Sequence, residues 1–291
     1  TATDPIDEQF LAAIGLGSNS FHIVVAQLDQ GELRTVDIMS DKVQLAAGID
    51  DKRYLTEEAK QRGLDCLSRF AQRVKDLPRD AVRIVGTNAL REAKNSREFI
   101  DEAESILGTS LEIIAGREEA RLIYLGVSHT LADDKGSRLV VDIGGGSTEF
   151  IIGERFEPRV MESLHMGCVS FTKRYFHDDK ICAKNFKNAQ TAALQELQSI
   201  KYHYKEMGWD SAVGSSGTIK AVRNACISKG YSDDRITQEA LLKLKGQILT
   251  YAHSDEIDIE GLKPERKKVL PAGVAILCAV FEALDIKEMS F

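Results

Sequence analysis

Apolar and polar positions in this chain alternate over short runs on either side of two glycine-rich turns, and fall into helical spacing elsewhere. Residues 11–16 and 21–28 read as a strand pair around a first Gly/Ser turn, and 32–40 adds a third strand. Thr56 is placed to cap a helix, with Glu57 and Glu58 at its electropositive end. Leu64, Leu67, Phe70, Ala71, Val74 and Leu77 then recur at helical spacing before Pro78. A short buried strand is predicted over 81–86, a helix over 96–107 and a strand over 111–115. Gly116 ends that strand, and Glu118-Glu119-Ala120-Arg121 opens the next helix. The pattern restarts at 138–143 as strand, turn and strand. A long helix follows over 183–206, and 212–218 reads as a strand entering a third Gly/Ser turn before another helix. Two more helices surround Pro264 and Pro271, with Val274, Leu277, Cys278 and Phe281 as a core stripe. Strands alternating with helices predict α/β layers rather than a bundle or a sandwich.

The two turns are copies of one motif. Ile14-Gly15-Leu16-Gly17-Ser18-Asn19-Ser20-Phe21-His22-Ile23-Val24-Val25 aligns without a gap on Val141-Asp142-Ile143-Gly144-Gly145-Gly146-Ser147-Thr148-Glu149-Phe150-Ile151-Ile152. Each copy predicts a β-hairpin whose turn presents bare backbone N–H groups and small hydroxyls, which is equipment for holding phosphate. The repeat predicts two similar domains facing a shared phosphate site. Gly15 stands where Asp142 stands, so metal chemistry must lean on the second copy. Other phosphate motifs fail on inspection. No Gly-Lys pair completes a Walker A loop, and Gly15-Leu16-Gly17 lacks the third glycine and following helix of a dinucleotide fingerprint. Neither HExxH nor GxSxG occurs.

Size and composition narrow the setting. At 291 residues the chain accommodates two domains, expected as 1–125 and 126–291, with Asp133-Asp134-Lys135-Gly136 as a polar turn near the boundary. Thr1-Ala2-Thr3-Asp4-Pro5 reads as a loose tail. No apolar run approaches a membrane span, and no signal peptide is legible before the first strand. Five scattered cysteines without a CxxC pair point to a reducing, cytoplasmic setting, with a peripheral membrane location as an alternative. A net charge of −7 makes the chain a poor generic binder of nucleic acid. A polyanionic substrate must therefore be drawn by local features such as helix N-termini, backbone nests, arginines and a bound cation.

Within that frame a few residues carry the chemistry. Asp142 closes a buried apolar strand and enters the Gly turn, where a carboxylate is costly unless a cation or hydrogen bonds satisfy it. Mg²⁺ suits it, because that ion binds through one or two carboxylates and completes its shell with water and phosphate oxygens. Glu149, past the turn, is placed to point back to the same site; the plainer alternative is that Asp142 accepts turn N–H groups. Glu118 reads as a partner of the helix dipole, whereas Glu119 reads equally as such a partner or as a general base. Arg91, directly after a buried strand, either grips phosphate or forms a surface salt bridge. Arg266-Lys267-Lys268 reads as a solvated helix face, and His22, just after the first turn, as a packed residue with phosphate contact as the alternative.

Together these segments resemble the exopolyphosphatase / guanosine pentaphosphate phosphohydrolase family of the actin-like (ASKHA) superfamily. The likeness rests on Gly17 to His22, Gly86-Thr87 with Leu90-Arg91, Glu118 to Arg121, Asp142 to Glu149, Met166-Gly167-Cys168-Val169-Ser170-Phe171, and Gly214 with Ser216-Gly217-Thr218. The resemblance implies two RNase H-like domains with an interdomain cleft. By position it makes Glu119 the catalytic glutamate, and Asp142 and Glu149 the acids that position metal and water. Ser18, Asn19 and Ser20, then Gly144, Gly145, Gly146, Ser147 and Thr148, become phosphate loops, joined by Ser216, Gly217 and Thr218. Arg91 becomes a phosphate contact. The family's first turn carries Asp where this chain has Gly15, which weakens a two-carboxylate metal site. Long members continue into helical domains that this chain lacks, and the full-length protein is expected as a homodimer.

The activity so implied is hydrolysis of the terminal phosphate of inorganic polyphosphate, with Mg²⁺ as cofactor and K⁺ as a further candidate. The rival is the same chemistry on guanosine pentaphosphate (pppGpp). Gly144-Gly145-Gly146-Ser147 and Val169-Ser170-Phe171 favour the exopolyphosphatase branch. A sugar- or acetate-type kinase and a non-catalytic polyphosphate or nucleotide sensor are the alternatives from other classes.

Overall fold

The structure, a computed structural model, describes residues 9–29, 32–130 and 136–291. The expected tail at the start and most of the expected polar turn at 133–136 lie outside the described residues. The chain divides into two compact units, Thr1–Ile114 and Ala115–Phe291. The helix carrying Glu119, expected at the end of the first domain, therefore belongs to the second, because it packs on that unit's sheet.

The first unit holds β1 (Gln9–Leu16), β2 (Phe21–Asp29), β3 (Glu32–Asp41), α1 (Glu57–Val74), β4 (Val82–Gly86), α2 (Asn88–Glu92), α3 (Ser96–Leu107) and β5 (Leu111–Ile113). Its sheet runs β3-β2-β1-β4-β5, antiparallel among the first three strands and parallel from β1 to β4 to β5. Thr56 caps α1 by accepting from the Ala59 N–H, and the apolar stripe of that helix buries Leu64, Leu67, Phe70 and Val74. Each such side chain contributes roughly 1.5–3 kcal/mol of transfer free energy. These residues join Ile14, Leu16, Phe21, Ile23 and Ile84 in one core.

The second unit holds α4 (Gly116–Thr130), β6 (Ser137–Ile143), β7 (Thr148–Glu154), β8 (Glu157–Leu164), α5 (Cys168–Tyr175), α6 (Ala183–Met207), β9 (Ser211–Ser215) and α7 (Ser216–Ser228). It continues through β10 (Ile236–Thr237), α8 (Gln238–Ile248), α9 (Pro264–Lys267), α10 (Leu270–Leu284) and β11 (Glu288–Met289). Its main sheet runs β8-β7-β6-β9, with β6 antiparallel to β7 and parallel to β9. This is the order of the first sheet over again, so the sequence repeat is also a repeat of topology. Helix α10 is apolar around nearly its whole circumference and is buried along it, with Pro271 in the first turn where no N–H is needed. No helix among the described residues is long and apolar enough to cross a membrane. All five cysteines are unpaired, and four of them are buried.

Candidate active site

Both glycine turns close by the same bond. The Gly17 N–H donates to the Ser20 carbonyl at 3.1 Å, and the Gly144 N–H to the Ser147 carbonyl at 2.9 Å. A Cβ would sit 2.8 Å from the Ser20 oxygen at position 17, and 3.1 Å from the Ser147 oxygen at position 144, so both turns need glycine at their first corner. Carbonyls of the turns are taken up by neighbouring backbone. Ser18 and Asn19 accept from the Ala46 and Gln44 N–H groups, and Gly144 and Gly145 accept from Cys168, Val169 and Ser170. Among the described residues, the Gly145 and Gly146 N–H groups make no hydrogen bond of their own. The second turn thus combines occupied carbonyls with open donors, the polarity that an anion requires. Ser18, Asn19 and Ser20 are buried, and the Asn19 amide donates to the Ser20 hydroxyl. His22 follows on the exposed face of β2 rather than packing into the core.

The acids are set by the strand register. Asp142 on β6 is paired with Glu149 on β7 and with Ser215 on β9, and Glu149 is paired in turn with Ser163 on β8. Four strands therefore carry one polar row across the sheet, Ser215–Asp142–Glu149–Ser163. Side chains opposite one another across a ladder lie on the same face, so the row is a single surface of two carboxylates flanked by two hydroxyls. Ser215 hydrogen-bonds the Asp142 carboxylate. Glu149 is 1% exposed, and its Oε1 accepts from the Ser147 hydroxyl at 2.7 Å and the Ser163 hydroxyl at 2.8 Å.

Glu119 completes the group from α4, in the same unit. Burial, reinforced by the Glu119 charge and opposed by the Ser215 bond, pushes the Asp142 carboxyl up to about 6. Burial, then the charges of Glu119 and Asp142, push Glu149 well above the usual carboxylate range, while its two serine donors pull it back. No described basic side chain forms an ion pair with Asp142 or Glu149. Three acids gathered beside a turn with open N–H donors are the electrostatic inverse of a hard cation's site. Among the described residues no three His, Cys, Asp or Glu side chains close around a common point as an all-protein metal cage. That donor set suits an ion that keeps its own water, such as Mg²⁺, and not a tetrahedral zinc.

The neighbouring glutamate has a different task. Glu118 makes a bidentate pair with Arg121 at 2.7 and 2.8 Å, one turn along the helix. Arg91 lies in α2 of the first unit, where its Nη1 donates to the Ile114 carbonyl at 2.6 Å. Two of the sequence-predicted loop hydroxyls are committed inward: Thr148 donates to the Met166 carbonyl, and Thr218 contacts the Cys168 sulfur at 3.4 Å. Both are buried; Thr148 ties the second turn to the segment just before α5, and Thr218 ties α7 to α5.

The third Gly/Ser segment runs, as expected, from a strand through a turn into a helix. Strand β9 runs straight into α7 with no hairpin, and the change of direction is made by Ser216 in the left-handed region, at φ +86°. Such backbone conformations in a non-glycine residue cost about 1–3 kcal/mol and cluster at functional sites. Arg266, read from sequence as a solvated cation, folds its guanidinium onto Gly217, where a Cβ would meet Nη2 at 2.1 Å. Beside it lies a cavity of about 200 Å³ lined by Gly217, Lys220, Asn224, Lys263 and Arg266. Ser163, Ser215 and this basic cavity are the parts that sequence reasoning missed. The serines lie on strands whose pairing with β6 and β7 is not written locally, and β8, with Glu157, Arg159 and Glu162 beside Ser163, gave no local signal that singles Ser163 out.

The strand order, repeated with its glycine hairpin, defines an actin-like α/β protein, and solved structures agree. The Aquifex aeolicus Ppx/GppA family member is similar with a TM-score of 0.78 at 26% identity, over 97% of this chain and 92% of that one. An exopolyphosphatase from Cytophaga hutchinsonii shares the fold with a TM-score of 0.86 at 23% identity, over 97% and 93% of the two chains. The chain belongs to the Ppx/GppA phosphatase family, whose model matches residues 24–291. A relative from Vibrio cholerae serotype O1 that is 47% identical over 98% of this chain is named guanosine-5′-triphosphate,3′-diphosphate pyrophosphatase. One from Vibrio vulnificus, 47% identical over 96% of this chain, carries the same name. The chain spans 57% and 56% of the lengths of these two relatives. The names of these relatives lie on the guanosine pentaphosphate side of the family, not on the exopolyphosphatase side that the sequence favoured. The segments that suggested it, Gly144 to Ser147 and Val169 to Phe171, bond to one another in building the turn, and so report loop architecture rather than what lies at the far end of a substrate.

Proposed function

We propose that this chain carries the catalytic centre of a guanosine pentaphosphate phosphohydrolase, which removes the terminal phosphate of pppGpp by attack of water. The observation that carries the chemistry is the row Ser215–Asp142–Glu149–Ser163 beside an open N–H turn, with Glu119 adding a third acid from α4. The choice of substrate is supported by the names of the two Vibrio relatives. The basic cavity at Lys220, Lys263 and Arg266, which is also lined by Gly217 just after Ser215 in sequence, suits a nucleotide with phosphates at both ends.

Asp142 and Glu149 would hold a hydrated Mg²⁺, which supplies charge neutralisation on the transferring phosphoryl oxygens. The chain's own groups do the rest. Gly145 and Gly146 donate N–H groups to the phosphoryl oxygens and fix their orientation. Glu119, whose charge bears on both Asp142 and Glu149 from α4, is the group that takes the proton of the attacking water at a carboxylate oxygen. Glu149, held by two hydroxyls, orients that water and keeps its place in the row. Positioning and electrostatics supply most of the acceleration, since phosphoryl transfer leaves little covalent work to the protein.

Glu119→Gln tests this reading. The variant is expected to fold and to bind pppGpp, and to lose about a hundredfold or more in phosphate release, the usual general-base contribution. Undiminished release would remove Glu119 from the mechanism. Parallel assays with pppGpp and long-chain polyphosphate decide the substrate, with higher kcat/KM expected on pppGpp. Turnover on polyphosphate alone returns the chain to the exopolyphosphatase reading.

A further inference from the structure

We propose that Ser163 is a positioning residue for this reaction, holding Glu149 in the one orientation that serves the acid row; this rests on the hydrolase reading above. Ser163 sits on β8, directly opposite Glu149 in the ladder, and donates to Oε1 at 2.8 Å. Ser147, from the glycine turn, donates to that same oxygen at 2.7 Å. Two hydroxyls, one from the turn and one from β8, donate to the same oxygen, which fixes the carboxylate at Oε1 and leaves Oε2 to face the work of the row.

The two donors are not equivalent. Ser147 belongs to the turn that would meet phosphate, and its hydroxyl is open to recruitment by substrate. Ser163 lies in a strand outside the turn, so its bond persists whatever the turn does. A carboxylate whose neighbours are two other acids has every electrostatic reason to swing away from them, and Glu149 has Asp142 on the adjoining strand and Glu119 nearby. The strand-borne hydroxyl opposes that swing. Ser215 does the same for Asp142 at the other end of the row, which makes the pair of serines a frame around the two acids.

The test compares Ser163→Ala with Ser163→Thr, which keeps a hydroxyl on a residue suited to strands. Steady-state phosphate release from pppGpp with Mg²⁺, thermal melting, and crystal structures of both variants are the readouts. Partners of this kind are worth about ten- to a hundredfold, so Ser163→Ala is expected to lower kcat by about tenfold or more. KM is expected to stay within about twofold, because Ser163 makes no substrate contact, and Ser163→Thr to keep kcat within about threefold. Glu149 is expected to rotate in the alanine variant and to keep its place in the threonine variant. Unchanged kcat in Ser163→Ala, failure of threonine to rescue, or loss of stability with kcat and KM moving together would each overturn the proposal. If the unsubstituted chain releases no phosphate from pppGpp or polyphosphate, the hydrolase reading fails by itself. The crystal structures then decide the part played by Ser163, and an unmoved Glu149 overturns it.

Discussion

The two sheets of this protein have the same strand order and the same glycine turn, yet one rung of the ladder separates them. In the second unit that rung reads Ser215–Asp142–Glu149–Ser163. In the first it reads Val85–Gly15–His22–Ser40. The backbone is shared down to the bond that closes each turn, so the scaffold alone does not make a centre for phosphate chemistry. What differs is the charge placed on the rung and the hydroxyls placed beside it. A strand pair can present either set at no cost to its ladder, because the ladder uses only backbone groups.

The comparison breaks most sharply at Asp142. Asp142→Gly gives the second rung the residue of the first, and is expected to cost about a thousandfold or more in turnover, on the scale of several kcal/mol for lost charge stabilisation. Phosphate release within tenfold of the parent would mean that the row is not the catalytic centre. The reverse exchange, Gly15→Asp, meets an open position, since a Cβ there has no atom within 4 Å. It is expected to leave the melting temperature within a few degrees and to raise Mg²⁺-dependent turnover by about tenfold, one unit of 1.4 kcal/mol. No gain would show that the two rungs are equivalent in backbone only.

Stability should follow pH in a way that the acid row dictates. The carboxyl of Asp142 is raised in the folded state from 3.8 to about 6, and Glu149 is raised further by burial and by its acidic neighbours. Between the two values for Asp142 the folded protein retains a proton that the unfolded chain has released, so stability falls as pH rises through that window. Glu149 carries the decline on to higher pH. Thermal melting without divalent cation is therefore expected to drop from pH 4 to above neutrality, with Glu149→Gln flattening the upper part. Added Mg²⁺ should restore more stability on the alkaline side. A flat profile would show that these carboxylates are ionised as freely in the fold as in the unfolded chain.

Smaller differences separate the turns and the outer rung. Gly17→Ala places a Cβ 2.8 Å from a backbone oxygen, whereas Gly144→Ala places it at 3.1 Å. The first is expected to cost about 1–3 kcal/mol in denaturant unfolding and the second less. An equal cost would mean that the second turn is as tightly closed as the first. At Ser40, exposed and opposite His22 rather than an acid, alanine is expected to change stability by less than about 0.5 kcal/mol and turnover not at all. That is the control against which the loss at Ser163 is read.

Much of this was legible along the chain, for a physical reason. Thr56 as a helix cap, the strands around both turns and the helix over 96–107 all rest on short-range patterns, and the structure places them there. The third Gly/Ser segment was legible as a strand passing through a turn into a helix, but not that Ser216 makes that turn in the left-handed region, a conformation that residue type alone does not signal. Helix α5 and strand β8 carried weak periodicity and were not foreseen, although α5 holds the second turn and β8 brings Ser163 to Glu149.

The sequence by itself determined that the chain repeats a glycine hairpin, that only the second copy carries an acid before its turn, and that the α/β order belongs to one family. These are statements about neighbours in the chain, where spacing and residue type suffice. Only the tertiary structure decided which acids meet, that Glu118 is spent on Arg121 while Glu119 bears on Asp142 and Glu149, and that serines on β8 and β9 frame the row. Sheet pairing joins residues far apart in sequence, and burial then sets their charges against one another; neither is encoded in any local run of residues.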